Sequence, residues 1–119
     1  MAAAVVNAAV SMPSRQPNDF DRRRIERALK ARQRYRYVSP TVATVAGGYR
    51  IESPCCSRNI DPDGGVVDVA LLVYDDSHSL WQLFRKDHTK RTWEFHSTHD
   101  RLVDLLDELN ADPGREFWQ

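Results

Sequence analysis

The sequence predicts a two-layer α+β fold in which a five-stranded antiparallel meander is flanked by an N-terminal and a C-terminal helix. Residues 80–84 and 92–96 alternate large apolar with polar residues, the period of a strand with one buried face, and a polar stretch joins them as in a β-hairpin. Residues 102–109 instead repeat apolar side chains at helical spacing. The predicted order of elements is α-β-β-β-β-β-α.

The first helix is predicted to begin at Asn18, whose side chain can accept a hydrogen bond from the backbone N–H of Asp21. Asp19 and Asp21 also stand where the helix dipole favours negative charge. Because its apolar stripe is narrow and edged with arginines, the helix should rest on the body of the domain. It should end near Gln33, where the pattern changes to alternation.

Three strands should follow this helix. Residues 41–46 and 49–53 are β-prone and flank Gly47-Gly48, a dipeptide suited to positive φ at both turn positions. Residues 66–74 are nearly continuous Val, Ala and Leu, the pattern of a central strand that is covered on both faces. A polar turn at residues 75–79 should lead back into the next strand.

The last two strands carry two of the tryptophans. If Trp81 faces Phe95 and Leu83 faces Trp93, four large side chains share one face, and a loop of three or five residues must connect the strands. A slip of one residue pairs Trp81 with His96 and breaks up that face. Burial therefore favours the odd-length loop.

The C-terminal helix follows this hairpin. Ser97 with Asp100 three residues later resembles a capping box, which predicts the helix start. Residues 110–114, which include a proline and a glycine, should end the helix. Phe117 and Trp118 are large and apolar, so we expect them to fold back against the helix or a sheet edge.

Length and composition limit the classes of protein. The chain has 119 residues, enough for one domain, which we place at residues 18–119 after a disordered leader at residues 1–17. Lys plus Arg equal Asp plus Glu at 17 each, so net charge favours neither nucleic acid nor a membrane. Adjacent Cys55 and Cys56 form no disulfide framework, and no segment spans a bilayer, so we expect a cytoplasmic protein.

Basic residues are concentrated at two places. Between residues 15 and 36, nine basic residues stand against three acids, and the tip of the tryptophan hairpin is also basic. The candidate site for nucleic acid or an acidic partner comprises Arg22, Arg23, Arg27, Arg34, Arg36, Arg85, Lys86, Lys90 and Arg91. Weak, sequence-independent nucleic-acid binding is one hypothesis, and a solvated basic helix facing an acidic body is the alternative that zero net charge favours.

The residues that could carry chemistry form no recognised catalytic set. Cys55, Cys56, His96 and His99 are zinc ligands by type, but adjacent residues of an extended chain point to opposite sides, so free cysteines are the alternative. The sequence holds no P-loop, dinucleotide fingerprint or nucleophile motif. We predict no catalytic residues, no metal and no cofactor, and an enzyme of unknown class is the third hypothesis.

Five short stretches carry a resemblance to a known family: residues 20–29, 49–54, 81–85, 93–96 and 112–119. With these stretches, the chain resembles an uncharacterised bacterial family, the domain of unknown function 3024. The resemblance covers residues 19–119 and implies a small domain. Since no activity is assigned to the family, it supplies no catalytic residue.

A protein-interaction or binding module is therefore the favoured function. Both faces of the strand at residues 66–74 are apolar, and two helices need not cover both faces. An exposed apolar remainder would favour a homodimer or another protein partner.

Overall fold

The described residues form one antiparallel sheet whose strand order, β1-β2-β3-β4-β5, follows the sequence, with one described helix before the sheet and one after it. The structure is a computed structural model that describes residues 15–32, 39–54 and 65–118. The predicted α+β meander is confirmed. Helix α1 spans Asp19–Ala28 and continues as the 3₁₀ turn Leu29–Ala31, the strands are β1 Thr41–Val45, β2 Gly48–Pro54, β3 Val66–Asp75, β4 Leu80–Asp87 and β5 Thr92–His99, and helix α2 spans Leu102–Ala111.

Both helices pack on one face of the sheet, which we call the inner face. Cross-strand partners share a face, and the pairings Tyr49 with Leu72 and Leu72 with Leu83 mark its centre. All three residues are fully buried, as are Ile25 of α1 and Leu105 of α2. Burying each such side chain contributes about 1.5–3 kcal/mol, so this layer is the main source of stability.

Helix α1 begins as predicted and ends earlier than predicted. The Asn18 side chain accepts a hydrogen bond from the Asp21 N–H at 2.7 Å. The α-helix stops at Ala28, and Gln33 lies outside the described residues. Arg32 already has extended backbone angles and is buried, and its guanidinium donates to the Leu29 carbonyl at 2.8 Å. This side chain therefore covers the end of the last turn.

The first hairpin turns one residue before the predicted dipeptide. Val45 pairs with Gly48, so the loop is Ala46-Gly47 and Gly48 is already part of β2. Of these residues only Gly47 has positive φ, at 75°. Gly48 is needed for a different reason, because a Cβ there would lie 1.8 Å from the carbonyl oxygen of Leu72 on the adjacent strand.

The tryptophan hairpin forms, but the predicted register is wrong. Trp81 pairs with His99 and Leu83 with Ser97. The strands extend further into the polar joint than predicted, and they leave residues 88–91 as the loop, an even number instead of an odd one.

A β-bulge accounts for part of this difference. The register shifts because β5 holds one extra residue, His96, at the bulge. On the loop side of the bulge, Phe84 pairs with Phe95. Alternation then puts Trp93 and Phe95 on the opposite face of the sheet from Trp81, so the four large side chains do not share one face.

The start of the second helix also differs from the prediction. Ser97 lies inside β5, and α2 begins at Leu102 after Arg101, whose side chain makes no capping hydrogen bond. Strand pairing therefore takes the serine that the capping-box pattern assigned to the helix. The expected return of the C-terminal aromatics is confirmed, since Phe117 and Trp118 are both buried in the core.

Candidate interaction surface

The second face of the sheet, the outer face, carries an apolar patch that we define as Leu71, Val73, Phe84 and Phe95. The pairings of Leu71 with Phe84 and of Phe84 with Phe95 place these side chains side by side across three strands. The rings of Phe84 and Phe95 meet edge to face, with centroids 5.8 Å apart. Phe95 is 59% exposed, and the other three are half-buried.

The described helices leave this patch uncovered, because both pack on the inner face. Residues adjacent to the patch on β3 show the contrast: Leu72 is fully buried under the helices, whereas Leu71 and Val73 remain partly exposed. β3 is therefore central and apolar on both faces, as predicted, but the expected cover on both faces is not found in the part of the chain that the structure describes, where the helices cover only the inner face.

A strip of paired charges borders the patch on the outer face. Asp68 accepts from Lys86 Nζ at 2.9 Å and lies 3.6 Å from Arg50 Nε, and Arg50 also faces Glu52 at 3.6 Å. The Lys86 ammonium lies 4.7 Å from the ring centroid of Trp93, in cation-π geometry. The strip thus holds two cations and two anions that neutralise one another.

The predicted basic site divides between paired and unpaired residues. Arg22 contacts Asp19 at 2.6 Å and Glu26 at 3.1 Å, and Arg23 contacts Asp19 at 3.0 Å. The hydrogen bond from Arg22 lowers the pKa of the Asp19 carboxyl. Helix α1 therefore neutralises part of its own positive charge at the spacing of one helical turn.

The remaining members of the basic site are spread over the molecule. At the hairpin tip Arg85 pairs with Glu94 at 2.8 Å and Lys86 with Asp68. Arg27, Lys90 and Arg91 are exposed and form no salt bridge within 4 Å among the described residues, although the backbone N–H and the charge of Lys90 both help to lower the pKa of the nearby Asp87 carboxyl. Arg34 and Arg36 lie outside those residues.

The structure describes two of the four residues that are zinc ligands by type, His96 and His99. Cys55 and Cys56 lie outside the described residues. His96 and His99 both contact the hydroxyl of Ser97, at 2.8 and 2.9 Å. Among described residues, no three His, Cys, Asp or Glu side chains converge in a way that could hold a metal ion.

Two grooves of about 320 and 310 Å³ lie beside the helices. Arg24 and Val103 line both grooves, and neither His96 nor His99 lines either of them. These two grooves therefore do not bring the histidines together. The first groove is lined by Arg15, Gln16, Asp21, Arg24, Tyr74, Trp81, Asp100, Arg101, Leu102 and Val103.

The sequence patterns do not predict the contacts of two buried polar groups that are important for the structure. The Asp112 carboxylate, at a position with φ of 40°, accepts from the backbone N–H groups of Glu116, Phe117 and Trp118. Trp118 then donates its indole N–H to the Leu109 carbonyl at 2.9 Å. A helix-ending Asp-Pro-Gly followed by aromatic residues is the signal for such a turn.

The second group is Tyr49, whose hydroxyl contacts Gln16 Oε1 at 2.5 Å and accepts from the Asn18 N–H at 2.8 Å. Burial raises the pKa of this phenol. These contacts extend the folded structure back to Gln16, inside the stretch predicted as a leader. Residues 1–14 lie outside the described residues.

A family model for a domain of unknown function, DUF3024, matches residues 12–119. The chain belongs to this family. The match includes the resembling stretch at residues 19–119 and begins before it. DUF3024 membership carries no assigned activity, and no curated protein and no solved structure matches the chain. In the described part of the chain, none of the helices has both the length and the apolar character needed to cross a membrane.

Proposed function

We propose that this domain is a protein-interaction module that binds a second copy of itself through the outer face of its sheet. The observation that carries the proposal is the apolar patch, which presents Phe95 at 59% exposure on a face that neither described helix covers. Monomeric soluble proteins rarely expose large contiguous apolar patches, and such patches mark interaction sites.

The size of the outer face suits a dimer. With strands about 4.8 Å apart and a rise of about 3.3 Å per residue, five strands of eight residues present roughly 600 Å² of sheet. Interfaces of standard size bury about 800 Å² on each partner. Two sheets can also pack face to face with interdigitating side chains, so a flat outer face can meet its own copy about a two-fold axis.

Charge on the outer face favours an identical partner over a strongly charged one. Arg50 and Lys86 are matched by Glu52 and Asp68 within the strip, and the whole chain has no net charge. Two copies therefore meet without net repulsion. A strongly acidic or basic partner finds no complementary surplus on this face.

Sedimentation equilibrium on the full chain tests the proposal. The wild type should be dimeric in the micromolar range, and Phe95→Asp should raise the dimer dissociation constant at least tenfold, because it places a carboxylate in the apolar patch. Phe20→Asp is the matched control, since Phe20 is 72% exposed on α1, away from the sheet. This control should dimerise as the wild type does.

Two results would count against self-association through this face. The first is a wild type that stays monomeric at high concentration, which would leave a different protein or another segment of the chain as the occupant. The second is equal weakening of the dimer by the Phe95 and Phe20 substitutions, which would move the interface to another surface.

Nucleic-acid binding through the basic residues stays an alternative prediction. Its affinity should fall steeply with salt and should drop when Arg27, Lys90 and Arg91, the unpaired members, are replaced by alanine. Replacement of Arg23 should have a smaller effect, because Asp19 already neutralises it. The absence of a salt-dependent shift of DNA or RNA would remove this alternative.

A further inference from the structure

A chain of hydrogen bonds links four side chains on the inner side of β5, at the bulge. Glu116 Oε2 lies 2.8 Å from His96 Nε2, His96 Nδ1 lies 2.8 Å from Ser97 Oγ, and Ser97 Oγ lies 2.9 Å from His99 Nε2. The extra residue at the bulge makes this possible, because it turns His96 toward the same side as its neighbour Ser97. Strict alternation would have separated the two side chains.

The sequence of hydrogen bonds from Glu116 to His99 indicates which ring nitrogens carry a proton. An ionised Glu116 can only accept, so the neutral ring of His96 carries its proton on Nε2 and leaves Nδ1 as an acceptor. The Ser97 hydroxyl then donates to His96 Nδ1, and its oxygen accepts from His99 Nε2–H. A nucleophile bonded to a base, with the base held by a carboxylate, is the arrangement that activates serine in acyl transfer.

We propose that Ser97 is an activated nucleophile that accepts acyl groups from small activated esters. The Ser97 oxygen forms a bond to the carbonyl carbon of the ester while its proton passes to His96 Nδ1. The bond from that carbon to the leaving oxygen breaks, the leaving group departs with the electron pair, and His96 returns the proton to solvent or to the leaving group. The contact of His99 Nε2 with the Ser97 oxygen holds the hydroxyl in place beside His96.

The surroundings of Ser97 leave the four linked side chains near the surface. Ser97 and His96 are half-buried, and the Glu116 side chain is 40% exposed. The ring of Phe117 packs edge to face on His96, with centroids 4.9 Å apart, and holds the imidazole in place. A small ester that reaches a half-buried hydroxyl is therefore the suitable probe.

Acetylation by p-nitrophenyl acetate tests this inference on the full-length protein. Release of p-nitrophenolate gives the rate, and peptide mass mapping locates the acetyl group. Ser97 should be acetylated about 100-fold faster than Ser77 and Ser79, two exposed serines of the β3–β4 turn that serve as controls in the same molecule. Ser97→Ala should remove the fast phase, and Ser79→Ala should leave it unchanged.

Substitutions at His96 and Glu116 test whether Ser97 reacts because its hydroxyl is activated or only because it is exposed. His96→Gln should slow acetylation of Ser97 about 100-fold, whereas His78→Gln, a change in an exposed turn, should not alter it. Circular dichroism checks that the His96 variant folds. Glu116→Gln is the second variant and should slow the reaction at least tenfold, because an amide no longer fixes the His96 tautomer.

The proposal is wrong if Ser97 in the folded wild type reacts no faster than Ser77 and Ser79. It is also wrong if a fast acetylation of Ser97 persists unchanged in both the His96 and the Glu116 variants. Because Ser97 faces the inner side and Phe95 the outer face, this outcome is independent of whether the domain dimerises.

Discussion

The two faces of the sheet use the same kinds of side chain in opposite ways. Leu72 and Leu71 are neighbours on β3, yet Leu72 is fully buried under the helices and Leu71 is only half-buried on the outer face. On the inner face the apolar side chains meet Ile25 of α1 and Leu105 of α2. On the outer face, the described structure offers them only each other and a strip of paired charges.

This difference separates the side chains that stabilise the fold from those available for binding. The inner layer is sealed by two helices and by the C-terminal aromatics Phe117 and Trp118. The outer layer contributes strand pairing and leaves apolar area for a partner. Substitutions on the two faces should therefore differ in kind, with stability lost on the inner face and association lost on the outer face.

The largest expected difference is between the two adjacent leucines. Leu72→Ala should lower the free energy of unfolding by about 2–5 kcal/mol, because it leaves a cavity in a close-packed layer. Leu71→Ala should lower it by about 1 kcal/mol or less, since that side chain is already partly in water. Urea unfolding in a Phe95→Asp background measures both without interference from self-association. Equal losses would contradict the assignment of the two faces.

The packing of the C-terminal aromatics Phe117 and Trp118 in the core should depend on Asp112. Asp112→Asn should lower the free energy of unfolding by about 2–3 kcal/mol, because its carboxylate satisfies three backbone N–H groups in the core. Thermal unfolding followed by circular dichroism measures this loss. Asp107→Asn, on the exposed face of α2, is the control and should change stability by less than about 0.5 kcal/mol.

Asp21 at the start of α1 should give a pH-dependent contribution. Burial raises its pKa, but hydrogen bonds from Gln16, Asn18 and Arg24 outweigh burial, so the pKa lies below its ordinary value of 3.8. A lowered pKa means that the carboxylate stabilises the fold above the unfolded value and loses this contribution as pH falls through the folded one. Asp21→Asn should therefore destabilise by about 1 kcal/mol at neutral pH.

The same substitution should have little effect in acid, where the wild-type carboxyl is also protonated. Urea unfolding of Asp21→Asn and the wild type at a series of pH values should show the two curves converging as the pH falls through the lowered pKa of Asp21. A constant difference at all pH values would show that the side chain acts through packing and not through its charge.

The smallest effect should come from the charge strip on the outer face. Lys86→Met keeps the apolar stem over Trp93 but removes the ion pair with Asp68. Because such pairs near the surface contribute little, stability should fall by about 0.5–1 kcal/mol and the loss should shrink in high salt. A loss as large as that of Leu72→Ala would mean that the outer face is as tightly sealed as the inner one.

Local patterns in the sequence predicted much of the fold. Asn18 forms the predicted cap because a helix cap depends only on the residues of its own turn. The strand at residues 66–74 lies at the centre of the sheet because a continuous run of apolar residues favours a position between two neighbouring strands. The apolar face of the last helix likewise packs inward, as the buried Leu105 shows. These features depend on neighbours in the chain or on the period of the apolar residues.

The register of the hairpin and the polar chain at its bulge could not be predicted in the same way. Alternation assumes a strand without insertions, whereas the bulge at His96 shifts every pairing beyond it. The hydrogen bond between His96 and Glu116 joins residues 20 positions apart, and nothing in the sequence marks it. The four-residue loop, where an odd-length one is predicted, pairs Phe95 with Phe84 and places it in the candidate interface instead of the core.

Dimerisation through the outer face is tested most directly by an isotope-filtered NOE experiment on a mixture of labelled and unlabelled protein. This experiment detects only contacts between two copies. Self-association through the outer face should give contacts between the Phe95 ring of one copy and the methyl groups of Leu71 and Val73 in the other. Intermolecular contacts confined to helix residues such as Phe20 or Val103, or their complete absence in concentrated protein, would contradict self-association through the outer face.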